Sequence, residues 1–316
     1  MSTHTLATSS RILHAYPAAS SPRLVLFAGI HGNEPSGVMA LRSVFSYLRE
    51  KEIAVRENVI GILGNREAYC QGVRYCQQDL NRLFLPEYIR QVRAIPSGHT
   101  DEALELLEIT QLVELLEAEV SEPPYFVDCH TTSSASIPYI SLNDGFTDSY
   151  CFAQHIPATR VIGVEKEIKG CLSEWLNLRG WHGFTFEAGQ HEAMVSVQNQ
   201  EAVIWLALLQ SGCLSESDAP SRIRQARETL RSQGNQQEKT YRTVSSYRIM
   251  EDEDFRMEPG FINLQAIQKG TQLAVSNGRS VYAPEDAYLL MPLYQKQGNF
   301  GFFTAEEIND SYLSEC

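Results

Sequence analysis

The sequence predicts an α/β fold: a largely parallel sheet with helices on both faces, followed by a smaller C-terminal β domain. Two patterns lead to this prediction. Over the first two-thirds of the chain, short apolar runs of strand type alternate with helical segments. After about Cys213, short strand-like segments separated by turn residues dominate. We therefore expect an α/β domain over residues 1–212, and a linker helix with a β domain over residues 213–316.

Four short apolar runs predict strands of the first domain, at residues 24–28, 59–63, 125–129 and 183–186. Strands that alternate with long helices indicate a largely parallel sheet. In such a sheet ligands gather at the carboxyl ends of the strands. Residues that directly follow these runs are therefore the first candidates for a functional site.

The clearest helix is predicted over residues 101–120. Its apolar side chains fall on one face, at Ile109, Leu112, Leu116 and Val120. Glu114 and Glu117 lie on the other face, and the Pro123–Pro124 pair stops the helix before the next strand.

The C-terminal third begins with a polar segment, residues 215–240, which predicts one solvated helix. Short strands are then expected at residues 241–244, 259–264 and 277–284, where Pro-Gly and Asn-Gly pairs supply turn signals.

Composition narrows the functional classes. The 316 residues carry a net charge of −13, which argues against nucleic acid as the main partner. The N-terminus lacks the pattern of a signal peptide, and the longest early apolar run, residues 24–30, is too short to span a bilayer. We expect a cytoplasmic protein without a membrane partner. Its odd number of irregularly spaced cysteines predicts reduced thiols, at Cys70, Cys76, Cys129, Cys151, Cys171, Cys213 and Cys316.

The glycine-rich stretch F-A-G-I-H-G-N-E-P-S-G, residues 27–37, follows the first predicted strand. It lacks the G-K-[ST] ending of a Walker loop, and its glycines miss the G-x-G-x-x-G spacing. A carboxylate inside a phosphate cradle would also repel the ligand. The stretch does contain His31 and Glu34, whose side chains are both zinc donors.

A second histidine, His130, directly follows the strand predicted at residues 125–129. His31, Glu34 and His130 would make a two-histidine, one-carboxylate metal site with an open position for water. The alternative is that both histidines only cap loops through hydrogen bonds, and spacing alone leaves the two interpretations equally open.

The stretch D-L-N-R-L-F, residues 79–84, follows V-R-Y at residues 73–75. Asn81 and Arg82 stand side by side and could grip a carboxylate through several donors. Taken alone, the stretch is better explained as the start of a helix with Asp79 as its N-cap.

Together these motifs resemble the succinylglutamate desuccinylase/aspartoacylase family. The resemblance rests on G-I-H-G-N-E-P-S-G, R-Y-x-x-x-D-L-N-R-L-F, V-D-C-H-T-T and F-E-A-G, in the family order across residues 29–189. It implies a zinc-carboxypeptidase-like mixed sheet in a catalytic domain over residues 1–212, and a C-terminal β domain of the family kind.

The resemblance also implies roles for individual residues. His31, Glu34 and His130 match the ligands of one zinc ion per chain. Glu187 matches the carboxylate that activates the attacking water, and Arg74 an arginine that stabilises the oxyanion. The substrate-binding positions it implies are Asn81 and Arg82 for a carboxylate, Asp79 as their buttress, and Arg179 and Tyr294 as further candidates. The local spacing around Arg179 departs from the family pattern.

The predicted function is a zinc-dependent amidohydrolase that removes the acyl group from a small N-acyl amino acid. A zinc carboxypeptidase or peptidoglycan-type amidase would use the same chemistry but needs an open cleft, and a third alternative is a catalytically silent binding protein. The position of the β domain distinguishes the amidohydrolase from the peptidase or amidase, because a β domain that caps the pocket admits only small substrates. Whether the chain forms a homo-oligomer stays open.

Overall fold

The computed structural model describes residues 11–16, 22–95, 97–118, 122–233 and 238–309. The first half of the chain contains β1 (Ile12–Tyr16), β2 (Pro22–Ala28), α1 (Ser36–Glu50), β3 (Asn58–Leu63), α2 (Arg66–Gln71), a 3-10 turn (Leu80–Arg82), α3 (Pro86–Ala94), α4 (Asp101–Glu117), β4 (Tyr125–Thr132) and β5 (Tyr139–Leu142). The second half contains α5 (Thr147–Ala153), β6 (Thr159–Ile162), α6 (Val164–Glu167), α7 (Leu172–Leu178), β7 (His182–Gln190), α8 (Met194–Gln210), α9 (Pro220–Gln233), β8 (Thr240–Arg248), β9 (Phe255–Met257), β10 (Gln265–Ile267), β11 (Gln272–Ser276), β12 (Arg279–Tyr282), β13 (Ala287–Leu290) and β14 (Phe300–Ile308).

The main sheet has the order β1-β3-β2-β4-β7-β5-β6-β8-β14-β13-β10. Its centre is parallel through β3, β2, β4 and β7, and β5 runs antiparallel to β7. A smaller antiparallel sheet, β12-β11-β9, lies in the C-terminal region. The prediction of a mixed, largely parallel sheet with a smaller C-terminal β region is confirmed.

Both faces of the main sheet are covered by helices, as β2 illustrates. Successive side chains of a strand point to opposite faces. Leu24 and Leu26 pack in one core with α1, α5, α8 and α9, whereas Val25 and Phe27 pack in another with α3, α4 and α7. The apolar run at residues 24–28 is continuous because neither face of this strand meets water.

Helix α4 begins after Thr100, whose hydroxyl accepts a hydrogen bond from the Ala103 N–H. Ile109, Leu112 and Leu116 are buried, as the predicted apolar face requires. The helix ends at Glu117, and the predicted Val120 lies outside the described residues.

Helix α9 differs from its prediction. It covers Pro220–Gln233 and is not solvated all round, because Ile223, Ala226 and Leu230 are buried in the core that contains α8. Although the segment is mostly polar, its few apolar residues recur at helical spacing and form a narrow apolar stripe.

Two strand predictions in the C-terminal region hold, and one is wrong. Residues 241–244 lie in β8, and Asn277 and Gly278 both adopt positive φ in the turn between β11 and β12. Residues 259–264 connect β9 to β10 and form no strand, and both Gly260 and Leu264 in this segment adopt positive φ.

The main sheet continues across the predicted domain boundary, because β8 pairs in parallel with β6. The C-terminal strands β8, β14, β13 and β10 therefore extend the sheet of the first domain. A boundary near residue 213 stays a prediction.

Most of the described cysteines are free thiols, namely Cys70, Cys76, Cys129, Cys171 and Cys213. The expectation of reduced thiols is wrong for Cys151, which is disulfide-bonded. Cys316 lies outside the described residues. No helix in the described part of the chain has the length and apolarity needed to cross a membrane.

Candidate active site

Three neighbouring strands bring the site together. β2, β4 and β7 are adjacent and parallel, so their carboxyl ends meet at one edge of the sheet. His31 lies in the loop after β2, and His130 in β4 pairs in register with Glu187 in β7. His130 and Glu187 follow His31 by about 100 and 156 positions in the sequence. They lie near it in the structure because β2, β4 and β7 are neighbours in the sheet.

His31, Glu34 and His130, hereafter the His–Glu–His triad, form a buried cluster. One ligand atom from each lies within 4.8 Å of the other two. His31 Nδ1 is 2.9 Å from Glu34 Oε1, and His130 Nδ1 is 3.1 Å from Glu34 Oε2. Two imidazoles and a carboxylate are the donor set of many catalytic zinc sites, so these residues fit a metal ion.

Two further carboxylates orient the imidazole rings. Asp79 Oδ1 is 3.2 Å from His31 Nε2, and Asp128 Oδ2 is 3.0 Å from His130 Nε2. With each Nε2 held by a carboxylate, both Nδ1 atoms face Glu34, the arrangement typical of metal-binding histidines. Sequence reasoning missed Asp128, although its place two residues before His130 on a strand puts both side chains on one face.

Electrostatics within this cluster are strongly coupled. Burial alone would raise the pKa of Glu34, yet His31 and His130 hold it well below its usual range. Burial alone would lower the pKa of His130, but Asp128 and Glu34 hold it well above. The cluster therefore holds Glu34 ionised and His130 protonated, and a metal ion bound here would displace the proton of His130.

The glycines of the loop allow a close approach of backbone to backbone. Gly29 has a φ of 69° and turns the chain sharply after β2. A Cβ on Gly32 would lie 2.1 Å from the Ala68 carbonyl carbon, so only glycine fits against the start of α2. This close packing accounts for the glycines of the loop, so no phosphate ligand is needed to explain them.

Glu187 differs from the other carboxylates of the site. Its Oε2 is buried and has no hydrogen-bond partner among the described residues. Burial raises the pKa of Glu187 to about 8, reinforced by Glu34 and opposed by His130 and Arg74. A carboxyl group with a pKa this close to neutrality can accept and release a proton near neutral pH.

Arg74 lies between the triad and the D-L-N-R stretch. Its Nη2 donates to Asp79 Oδ2 at 3.0 Å, and its Nη1 lies 3.6 Å from Glu34 Oε1. Asp79 also accepts a hydrogen bond from the Asn81 N–H at 3.0 Å. A single buried carboxylate thus holds Arg74, the turn at Asn81 and the ring of His31.

Arg82 and Asn81 line the cavity next to Arg74. Arg82 Nη1 donates to the Asn81 carbonyl at 2.6 Å, while its buried Nε has no partner among the described residues. Asn81 Oδ1 accepts from the Leu172 N–H at 2.8 Å, which leaves the amide nitrogen as the group that can act on a ligand. Both side chains therefore offer donors, as an anionic group requires.

The C-terminal region covers the site. A cap segment, residues 291–300, contributes Met291, Leu293, Gln295 and Phe300 to the wall of a cavity of about 130 Å³ that includes the triad and Glu187. Gln295 Oε1 accepts a hydrogen bond from Asn33 Nδ2 at 3.1 Å and lies 3.3 Å from His191 Nε2. The cap thus contacts the loop that carries His31 and Glu34, and also the residue that follows β7.

Arg179 is not part of this cavity. It pairs with Glu117 and stacks over the Trp175 ring at 4.9 Å, beside Pro124, which precedes the amino end of β4. This is the end of the sheet opposite His130, so we remove Arg179 from the proposed site.

Tyr294 lies in the cap but points its hydroxyl away from the cavity lining. The hydroxyl donates to the Glu258 carbonyl at 2.7 Å and accepts from the Phe261 N–H at 3.0 Å. The neighbouring Leu293 and Gln295 line the cavity instead. A one-residue shift reverses which side chain faces the site in an extended segment, and sequence alone does not fix that register.

Comparison with known proteins identifies the family of the chain. The model of the succinylglutamate desuccinylase/aspartoacylase catalytic domain matches residues 20–211, more than half of the chain. The chain belongs to this family. A curated family member, succinylglutamate desuccinylase of Photorhabdus laumondii, is 34% identical over 117 residues, which covers 36% of this chain and 34% of that protein. The match thus spans about a third of the length of such relatives.

Solved structures share the fold. Succinylglutamate desuccinylase of Chromobacterium violaceum superposes with a TM-score of 0.64 at 15% identity, covering 98% of this chain and 97% of that one. Murine aminoacylase 3 superposes with a TM-score of 0.61 at 15% identity, covering 92% and 96%. The whole architecture, including the C-terminal strands, therefore has counterparts in this family.

The close approach at Gly32 makes a testable prediction. Gly32→Ala forces the loop away from α2 and should lower the free energy of unfolding by roughly 1–3 kcal/mol. Gly61→Ala is the matched control, since a Cβ there meets ordinary contacts at 3.6 Å or more and the residue has no positive φ. Urea denaturation compares the two, and equal stability of both variants would contradict the packing argument.

Proposed function

We propose that this chain is a zinc-dependent amidohydrolase that removes the acyl group from an N-acyl amino acid. The observation that carries the proposal is the pairing of the buried His–Glu–His triad with a buried carboxylate, Glu187, that lacks a hydrogen-bond partner on Oε2 among the described residues. Family membership over residues 20–211 supports the reaction class.

Each residue has a separate task in this proposal. A zinc ion held by the triad would supply Lewis-acid activation of the attacking water and of the amide carbonyl. Glu187 accepts a proton from the water and later delivers it to the nitrogen of the leaving amine. Arg74, fixed by Asp79, stabilises the negative charge that develops on the amide oxygen.

The substrate carboxylate is assigned to Arg82 and Asn81. The Arg82 Nε has no partner among the described residues, and Asn81 keeps its amide nitrogen for a ligand after Oδ1 is occupied by Leu172. A carboxylate next to the scissile amide would satisfy both and place the amide beside the triad.

The cap favours a deacylase over a carboxypeptidase or peptidoglycan-type amidase. Its residues form one wall of the cavity, and Gln297 Nε2 ties it to the Tyr75 carbonyl at 3.1 Å. A polypeptide substrate needs an open cleft, whereas a small acyl amino acid fits a cavity with a wall on this side. A silent binding protein is disfavoured, because the three proposed metal ligands and Glu187 are all present in one cavity.

Removal of a proposed ligand should remove the metal. His31→Ala and His130→Ala are each expected to lose zinc almost completely at neutral pH, because two remaining ligands bind far more weakly. His155→Ala, at an exposed position, is the control and should keep one zinc per chain. Metal analysis of the purified proteins measures this, and stoichiometric zinc in both ligand variants would refute the site.

Replacement of the proposed base should separate catalysis from metal binding. Glu187→Gln preserves shape but cannot accept the proton, so turnover should fall by ~10²-fold or more while zinc stays bound. Glu192→Gln, exposed just after β7, should leave both unchanged. Loss of zinc in Glu187→Gln would show that Glu187 is a ligand instead.

Recognition of the substrate carboxylate should depend on Arg82. The wild-type enzyme is expected to prefer an N-acyl amino acid strongly over its C-terminal amide. Arg82→Ala should lose that preference at a cost of roughly 2–5 kcal/mol in binding, and Arg82→Lys should restore only part, because it keeps charge but not the planar donors. Steady-state kinetics on the acid–amide pair tests this, and equal turnover of both by the wild type would favour the peptidase alternative.

A further inference from the structure

The cavity extends beyond the catalytic groups along a polar strip of the sheet. On β7, Thr185 lies on the same face as Glu187, and Ser141 of β5 pairs opposite Thr185. Thr185, Ser141 and the following Asn143 all line the cavity. The other face of the same strands is apolar, with Phe184 and Phe186 in the core. Polar side chains confined to the cavity face indicate a bound polar group.

A second unpaired carboxylate, Glu165, lies at this end of the cavity. It lines the cavity yet is only 8% exposed. Its Oε1 accepts a hydrogen bond from the Asp144 N–H at 3.0 Å, while Oε2 is buried with no hydrogen-bond partner among the described residues.

No described cation lies within ion-pair distance of Glu165. The ammonium group of the adjacent Lys166 pairs with Asp144 at 2.5 Å instead. Burial raises the pKa of the Glu165 carboxyl, and the Asp144 N–H and the charge of Lys166 oppose this effect only in part. A buried carboxylate without a partner destabilises the folded protein, unless a ligand supplies the missing hydrogen bond or opposite charge.

Apolar side chains also line the cavity, namely Val164, Ile168, Leu293, Phe300 and Phe303. Val164 and Ile168 lie next to Glu165 in the sequence. A cavity that combines apolar walls with a carboxylate suits a chain of methylene groups that ends in a cation.

Glu165 and Glu187 lie at separate positions along the sheet. Tyr139 pairs opposite Glu187, and Asn143 lies four residues further along, which is roughly 13 Å of strand at ~3.3 Å per residue. The Asp144 N–H that holds Glu165 follows directly. A group bound by Glu165 is therefore distinct from the groups that contact Glu187.

We propose that Glu165 binds the ammonium or guanidinium group at the end of a long side chain, so that the substrate is an N-acyl basic amino acid. This inference rests on the proposed function for the position of the scissile amide. Arg82 and Glu165 then recognise opposite charges of one substrate, its α-carboxylate and its side-chain cation.

Kinetics on two substrates that differ only by the side-chain ammonium group tests the inference. The wild-type enzyme should hydrolyse Nα-acetyl-L-lysine with a kcat/KM at least tenfold higher than that of Nα-acetyl-L-norleucine, and should disfavour N-acetyl-L-glutamate. Glu165→Gln keeps the acceptor for the Asp144 N–H but removes the charge, so the ratio of kcat/KM for the lysine substrate to that for the norleucine substrate should fall to about one. Glu167→Gln, on the same short helix but exposed, is the matched control and should retain the preference.

Binding of the free amino acids tests the same site without turnover. Calorimetry on the wild-type protein should show L-lysine binding at least tenfold tighter than L-norleucine, and Glu165→Gln should remove the difference. If no N-acyl amino acid is hydrolysed but lysine still binds through Glu165, the proposed function fails and the cation site stands. Equal binding of lysine and norleucine by the wild type, or preferential hydrolysis of N-acetyl-L-glutamate, overturns the inference even if Glu165→Gln does not fold.

Discussion

The carboxylate of Glu34, buried between two imidazoles, is the constraint around which the site is built. A buried charge without partners would be prohibitively unfavourable, so this carboxylate needs several donors at once. Besides His31 and His130, the Thr131 N–H donates to its Oε2 at 2.8 Å. Those donors come from two segments almost a hundred residues apart, and only the pairing of β2 with β4 brings them together.

The two carboxylates that orient the histidine rings connect Glu34 to the surrounding residues. Asp79 and Asp128 each hold an Nε2 atom, and Asp79 is in turn held by Arg74 and the Asn81 N–H. The proposed oxyanion-stabilising arginine and the proposed substrate-binding turn are therefore held by the same buried carboxylate that orients His31, a proposed metal ligand. We expect disruption of Asp79 to disturb the proposed metal binding and substrate recognition together.

The carboxylates in and around the cavity differ in what they contact. Glu34, Asp79 and Asp128 each contact a histidine of the triad and maintain the site's shape, although Asp128 Oδ1 has no partner among the described residues. Glu187 and Glu165 each leave one buried oxygen without a partner among the described residues. Their incomplete satisfaction is unfavourable for stability, which is why we assign the first to proton transfer and the second to a cationic ligand.

The sequence by itself determined the elements and the residue types that follow them. The buried run at β2, the apolar face of α4 and the placement of His31 and His130 at strand ends follow from local periodicity, which depends on near neighbours in the chain. The tertiary structure alone decided the rest. It placed Arg179 at the wrong end of the sheet, turned Gln295 rather than the Tyr294 hydroxyl towards the site, and joined β8 to β6. These outcomes depend on strand order, on register and on which side chain of an extended segment faces inward, and such properties arise from contacts between segments far apart in sequence.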